Sequence, residues 1–527
     1  MTRDKRVKNR ESSITESLLT EVGEFISVHM GLHFPENRRN DLERGLRSAA
    51  PELGFEDPEA CTRWLISSPI TKSTIEVLAN HLTVGETYFF RDRRCFDFLE
   101  EKVFPELIGR RRTSGKYLRI WSAGCCTGEE PYSAAILLNR MISDIKDWNI
   151  TVLATDINPV FLRKASAGLY GDWSFRDAPK WIRERYFRKT KGNHSELLPE
   201  MRKQVIFTYH NLAEDAYPAL YNNTNAMDLI LCRNVLMYST SDHQRYMAKK
   251  FLNCLVEGGW LIVSPTEASN ALFPEFTSIN FQGATFYRKG QGLEVRDEEL
   301  KDEGRPFRWD EGRGTRDEIV HRPSEQSERS SSVPRQSERS ERSSLVLRPL
   351  EVSEENTQAG KTPDPYKEAL ALYEKGSYPE AAEKLRPLLS QGPLEAKAAA
   401  LLARIAANQG KLSEALGLCD RAVSADKSNP GNHYLLATIM QEQGRLQEAA
   451  TELRKTIYLD QDFVLAHLLL GNLALRQGKR KESARHFRNA YNLLSRRQPE
   501  EIIPDAEGLT AGRLMEIIRA TALGDGA

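Results

Sequence analysis

From Tyr117 to Ala135 the chain reads YLRIWSAGCCTGEEPYSAA: an apolar run, a small-residue turn at Ser122-Ala123-Gly124, and an amphipathic segment after Thr127-Gly128. A strand that passes through such a turn into a helix lets backbone approach a bound ligand closely. Open α/β sheets hold nucleotide-type cofactors at the carboxyl ends of their strands. Asp156 follows Gly124 by 32 residues, at the end of the next apolar run, where an acid commonly accepts hydrogen bonds from ribose hydroxyls. The adjacent acids Glu129 and Glu130 open the helix, and dipole compensation accounts for one of them, better Glu129 than Glu130. No Ser-His-Asp arrangement accompanies these residues. Cys125-Cys126 and Cys232 lack a CxxC partner or a nearby His pair, so they read as packing or loop thiols, and no metal is expected.

The elements that must position this loop alternate. Strand candidates are Leu118–Ser122, Ile150–Thr155, Val205–His210, Met227–Cys232, Trp260–Ser264 and Ala284–Tyr287, with helical segments at Pro131–Ile142, Val160–Ala167 and His243–Leu255. Such alternation predicts a mostly parallel sheet with helices on both faces. Upstream, residues 14–82 read as helices, with Leu18, Leu19, Val22, Phe25 and Ile26 at helical spacing and Leu42, Leu46 and Leu53 following.

The chain has 527 residues, room for several domains, and its 74 basic and 74 acidic side chains cancel. Bulk charge therefore points neither to nucleic acid nor to a membrane surface. No run approaches the roughly 18 apolar residues that cross a bilayer. The charged start MTRDKRVKNRESS lacks a secretory apolar stretch, and seven cysteines without paired spacing suit reduced thiols, so a cytoplasmic protein without membrane insertion is expected. Residues 291–362 are rich in Glu, Arg and Ser, with QSERS at 326–330 and again at 336–340. That composition reads as a disordered tether. Beyond it Gly376, Gly410, Gly444 and Gly478 stand 34 residues apart, each followed four residues later by Glu380, Glu414, Glu448 or Glu482 and then by Ala381, Ala415, Ala449 or Ser483. A 34-residue helix-turn-helix period is the tetratricopeptide signature. A last helix near Ala511–Ala522 would cap the stack.

Five motifs stand in order: GETYFFR at 85–91, WSAGCCTGEEPYS at 121–133, ATDIN at 154–158, HNL at 210–212 and CRNVLMY at 232–238. Together they resemble the bacterial chemotaxis-receptor glutamate methyltransferases, the CheR family, over roughly residues 14–288; a version with C-terminal tetratricopeptide repeats is a known architecture of that family. The resemblance implies an α/β fold: an N-terminal helical domain (14–82) and a Rossmann-like class I methyltransferase domain with a small antiparallel β insertion (83–290). The linker (291–362), an all-α repeat solenoid (363–500) and a capping helix with tail (501–527) would follow. It also implies S-adenosylmethionine as cofactor, S-adenosylhomocysteine as product, and methyl-accepting chemoreceptor proteins as partners. The reaction would be methyl transfer to a glutamate carboxylate. A carboxylate is ionised near neutral pH and needs no general base, which leaves alignment and water exclusion as the protein's task.

By the same resemblance Arg91 and Tyr238 line the place where cofactor meets acceptor, and they are the expected catalytic pair. A guanidinium can hold a carboxylate through two parallel hydrogen bonds. The implied cofactor-binding set is Gly85, Thr87, Arg91, Gly124, Glu130, Asp156, Asn211, Leu212, Arg233 and Asn234. Phe89 and Phe90 read as wall and core. Two positions depart from the family pattern: Gly85 stands where Asn is usual, and Pro265-Thr266-Glu267 where HSE is common. The stretch from Arg185 to Phe207 resembles the insertion that grips a receptor tail in some relatives, but it is short, and recognition of a tail peptide is not expected. Arg38, Arg39, Arg44 and Arg47 form either a basic face toward acidic receptor helices or, with Asp41 and Glu43 among them, a solvated mixed face. The competing readings are a regulatory scaffold whose methyltransferase domain binds cofactor without turnover, and a small-molecule methyltransferase. The repeats would dock a protein or peptide partner or regulate catalysis.

Overall fold

The computed structural model describes residues 14–290 and 364–519, apart from 114, 191, 215–216, 220–221, 391, 505, 507–508, 513 and 516–517. The tether expected at 291–362 lies outside the described residues, as do the last three positions of the capping helix expected at 511–522.

Among the described residues ten strands carry the catalytic half: β1 (Tyr117–Ala123), β2 (Asn149–Asp156), β3 (Leu169–Tyr170), β4 (Phe187–Lys189), β5 (Ser195–Leu197), β6 (Val205–Tyr209), β7 (Met227–Leu231), β8 (Leu255–Ile262), β9 (Phe276–Phe281) and β10 (Ala284–Lys289). Seven form one sheet in the order β6-β2-β1-β7-β8-β10-β9. The first five in that order are parallel, and β10 and β9 close the edge antiparallel. β1 and β7 are buried along nearly their whole length, as expected where helices cover both faces. Trp121, Leu153, Ile230, Phe251 and Tyr287 share one core cluster with the helix Ser241–Cys254.

The strand order reverses between β1 and β7, since the chain runs outward from β1 to β2 and β6, then returns to β7. Ligands gather beside the carboxyl ends at such a switch point. β8 starts at Leu255 rather than at the expected Trp260. Gly258-Gly259 lies between the expected helix and strand, and the structure absorbs it as an irregularity in the pairing with β7, with Gly258 in the left-handed region at φ 71°. β3, β5 and β4 make a separate three-stranded antiparallel sheet. Its first strand lies upstream of the segment from which the insertion was expected.

Four helices, Glu16–Met30, Arg39–Ala49, Pro58–Ser67 and Lys72–Leu82, form the N-terminal bundle around Val22, Ile26, Leu42, Leu46 and Leu78. Polar ties fasten this bundle to the sheet. Asn158 caps the helix Pro159–Ala167 by accepting from the amides of Val160 (2.8 Å) and Phe161 (3.2 Å). Its amide nitrogen meanwhile donates to Ala79 O (3.2 Å) and Thr83 Oγ1 (2.9 Å).

Eight helices form four antiparallel pairs from Pro365–Glu374 to Arg480–Leu494. The turn glycines Gly376, Gly410, Gly444 and Gly478 have φ between 73° and 78°, a conformation that suits glycine. Ala381, Ala415 and Ala449 are fully buried and Ser483 nearly so, where paired helices approach. Ala511, Leu514 and Ile518 join the same core as Phe487 and Leu494, closing the apolar end of the stack.

The solenoid folds back onto the catalytic half along its turns. Tyr117 Oη donates to Gly410 O (3.3 Å), Asn149 Nδ2 to Glu442 O (2.9 Å), and Asn225 Nδ2 to Glu442 Oε1 (3.0 Å). Glu442 is buried there beside the charge of Arg119. These residues mark the amino-terminal ends of β1, β2 and β7. The solenoid therefore covers the base of the sheet, opposite the switch-point crevice.

Candidate active site

The loop after β1 is held by the neighbouring strand. The amides of Gly124 and Cys125 both donate to Thr155 O (2.8 and 2.9 Å). Gly124 has φ 79°, and a Cβ there would meet Val235 Cγ2 at 2.4 Å, so the close approach requires glycine. Cys126, at φ 50°, donates its amide to Asp156 Oδ2 (2.8 Å), and Asn158 N donates to Oδ1 (2.8 Å). Burial raises the Asp156 carboxyl to about 6 against the pull of these amides. Burial also pushes the Cys126 thiol up to about 12, as suits a packed thiol rather than a reactive one.

Glu130, on the helix Glu129–Met141, accepts from Ser122 Oγ (2.7 Å) and from Arg233 Nη1 (3.2 Å). Burial raises its carboxyl while Arg233 opposes the shift. Glu129 does more than compensate a dipole: it accepts from Thr127 Oγ1 (2.7 Å) and from Ser174 Oγ (2.9 Å), tying the loop to the insertion. Arg233, with a side chain only 2% exposed, spans Glu130, Asp92 and the carbonyl of Arg91. That bond fixes the backbone of Arg91, which stands between two left-handed residues, Phe90 (φ 60°) and Asp92 (φ 62°). Such strain persists where surrounding contacts over-determine it. Phe89 stacks on Phe175 (5.1 Å) and meets Tyr170 and Phe187 edge-on, so it is core.

One cavity collects these groups: Thr87, Arg91, Gly124, Glu130, Asp156, Asn211, Leu212, Arg233, Asn234 and Tyr238 all line it. Gly85 does not. A Cβ at Gly85 would meet Phe161 Cζ at 2.7 Å, so the ring of Phe161 occupies the room an Asn side chain would need. Asn211 spends its amide largely on holding the first helix, donating to His29 O at 2.7 Å. The N-terminal bundle supplies wall residues that sequence reasoning missed. Gly31, His33, Phe34 and Arg38 line the cavity, and His33 N donates to Tyr238 O (2.6 Å) while Ser239 Oγ donates to Gly31 O (2.7 Å). The helix break at Gly31 before Pro35 was the available signal. The Arg38 guanidinium lies over the rings of Phe34 (5.0 Å) and Tyr238 (5.2 Å). Arg38 and Arg44 pair with Asp41, Arg39 with Glu16 and Arg47 with Glu43, which is a mixed face.

The residues present fit a nucleoside cofactor. The cradle at Gly124 excludes a Cβ, and a buried carboxylate at the carboxyl end of β2 retains acceptor capacity for hydroxyl groups. Arg233 with Glu130 offers both charges to an amino-acid tail.

Comparison with known proteins agrees. Residues 85–282 match the CheR methyltransferase, SAM binding domain, and residues 366–430 and 406–473 match tetratricopeptide repeats. The chemotaxis protein methyltransferase of Borreliella burgdorferi is 28% identical over 49% of this chain and 90% of its own length. Chemotaxis protein methyltransferase 2 of Vibrio cholerae is 32% identical over 41% of this chain and 73% of its own. Chemotaxis protein methyltransferase 1 of Pseudomonas aeruginosa is 31% identical over 40% and 77% respectively. A loop built to take the cofactor, in a chain that shares more than 30% identity across over two thirds of such relatives, places this protein in the CheR family of S-adenosylmethionine-dependent methyltransferases, here with C-terminal tetratricopeptide repeats.

Proposed function

We propose that the protein methylates glutamate side-chain carboxylates of chemoreceptor-like, methyl-accepting proteins. The observation that carries this reading is the convergence of Asp156 and Glu130 with Arg91 and Tyr238 on one cavity. Asp156 accepts the ribose hydroxyls, and Arg233 and Glu130 hold the charged amino-acid tail. S-adenosylmethionine supplies a methyl carbon made electrophilic by its sulfonium charge. The acceptor carboxylate arrives already ionised, so no residue has to remove a proton. Arg91, half-buried at the cavity with its guanidinium donating to Glu86 O, orients that carboxylate. The hydroxyl of Tyr238, on a ring held under Arg38, helps to orient that carboxylate. The surrounding apolar walls exclude water, and the remaining acceleration is alignment.

The test uses the full chain with receptor cytoplasmic fragments and S-adenosylmethionine, followed by peptide mass spectrometry. Methyl groups on glutamates are expected. Folded, cofactor-binding protein that modifies no glutamate in any receptor would favour the scaffold reading. The solenoid serves as a docking module for a protein partner, and removing residues 363–527 is expected to change which receptor sites are modified.

A further inference from the structure

Glu267 lies outside the cavity lining and carries none of the roles above, yet it gathers the loop that follows β7. Its Oε1 accepts from the amides of Val235 (2.7 Å) and Met237 (3.2 Å). Its Oε2 accepts from the amides of Asn234 (2.8 Å) and Ser264 (3.0 Å) and from Ser264 Oγ (2.6 Å). Five donors from the ends of two adjacent strands, β7 and β8, thus converge on one carboxylate that is only 7% exposed. Successive backbone N–H groups that cradle an anion form a nest, and here the anion is the protein's own.

The loop needs such a hold. Asn234 sits at φ 59°, in the left-handed region, which Asn tolerates better than most side chains but which still favours glycine, so the carboxylate's grip on its amide helps to hold it there. The same segment presents Arg233, Asn234, Val235 and Tyr238 to the cavity. Val235 is also the side chain against which Gly124 closes. A shift of the loop would therefore move the Arg233 contact to Glu130, the Tyr238 ring and the packing behind the β1 loop together.

We propose that Glu267 is a positioning residue for methyl transfer, acting through the backbone of Asn234, Val235 and Met237 to set Arg233 and Tyr238. The proposal rests on the methyltransferase reading above and deepens it. It also explains why the acid of the Pro265-Thr266-Glu267 triplet is the member that matters here: the nest needs a carboxylate, and the two residues before it supply none of the five donors.

The test compares wild type with Glu267→Gln, which keeps the volume but replaces one acceptor oxygen with a donor, and with Ser264→Ala, which removes one donor of the five. Three readouts are taken on the full chain: amide hydrogen exchange, affinity for S-adenosylhomocysteine by calorimetry, and kcat against KM for receptor. Glu267→Gln is expected to speed exchange at the amides of 234, 235 and 237 while the amides of β1 and β2 keep their protection. It should weaken S-adenosylhomocysteine about tenfold and lower kcat about tenfold or more, with receptor KM nearly unchanged. Ser264→Ala should shift the same quantities in the same direction by less, and it keeps the test decisive if the Gln variant fails to fold. Faster exchange with affinity and kcat both within about twofold of wild type would overturn the proposal. If wild type itself methylates no receptor, the methyl-transfer reading fails, whereas the exchange and affinity measurements still decide whether Glu267 positions the cofactor loop.

Discussion

At the residue scale the cavity depends on a few buried ionisable groups. Burial raises Asp156 to about 6, so it is ionised at neutral pH and protonates as pH falls through that value. The ionised form is the one able to accept two hydroxyl donors. Affinity for S-adenosylhomocysteine should therefore be level above pH ~7 and weaken progressively below pH ~6. Asp156→Asn should bind roughly tenfold more weakly and lose that pH dependence, as calorimetry across the range would show. Arg91→Ala and Tyr238→Phe are expected to lower kcat by roughly ten- to a hundredfold with melting temperature unchanged, because neither side chain is a core residue. Asp156 was legible as an acid at a strand end and Glu130 only through the family motif, because dipole compensation competes for any acid that opens a helix; both line the cavity. Arg38 was harder to place: in the sequence it stands among Arg39, Asp41 and Glu43, and only the fold sets its guanidinium over Tyr238.

At the scale of elements, the β1 loop and the sheet around it were readable from the apolar runs and small residues of 117–135. Gly124→Ala places a methyl 2.4 Å from Val235 Cγ2 in a left-handed backbone. It is expected to cost about 1–3 kcal/mol of stability and most of the cofactor affinity, measured by denaturant midpoint and calorimetry. β9 and the start of β8 were not legible. Phe276–Phe281 buries only its two end residues, with polar Thr277, Ser278 and Asn280 between them, and Gly258-Gly259 resembles a break rather than an irregular strand. The contribution of the Gly31–Phe34 break to the cavity is a long-range packing outcome that local periodicity does not encode.

At the scale of the whole molecule, the 34-residue period gave the solenoid from glycines and small residues alone, but nothing in the repeat says where it rests. The structure seats its turns on the base of the sheet, at Tyr117, Asn149 and Asn225, while the cavity opens at the other end of the strands. Seven residues of β1 separate the two, about 20 Å at ~3.3 Å per residue. Glu442 is the buried carboxyl at the centre of that contact, and Glu442→Lys would set a cation beside Arg119. Small-angle scattering should then show a larger radius of gyration, with S-adenosylhomocysteine affinity unchanged because the cavity is remote; an unaltered profile would mean that the dock does not depend on this charge.

The most direct test of the central claim is the fate of label from methyl-tritiated S-adenosylmethionine after incubation with the full chain and a methyl-accepting receptor. The account predicts tritium on receptor protein that mild alkali releases as volatile methanol, and its near-complete loss in the Arg91→Ala variant. Label that stays on protein through alkali, or that appears only on a small molecule, would contradict it.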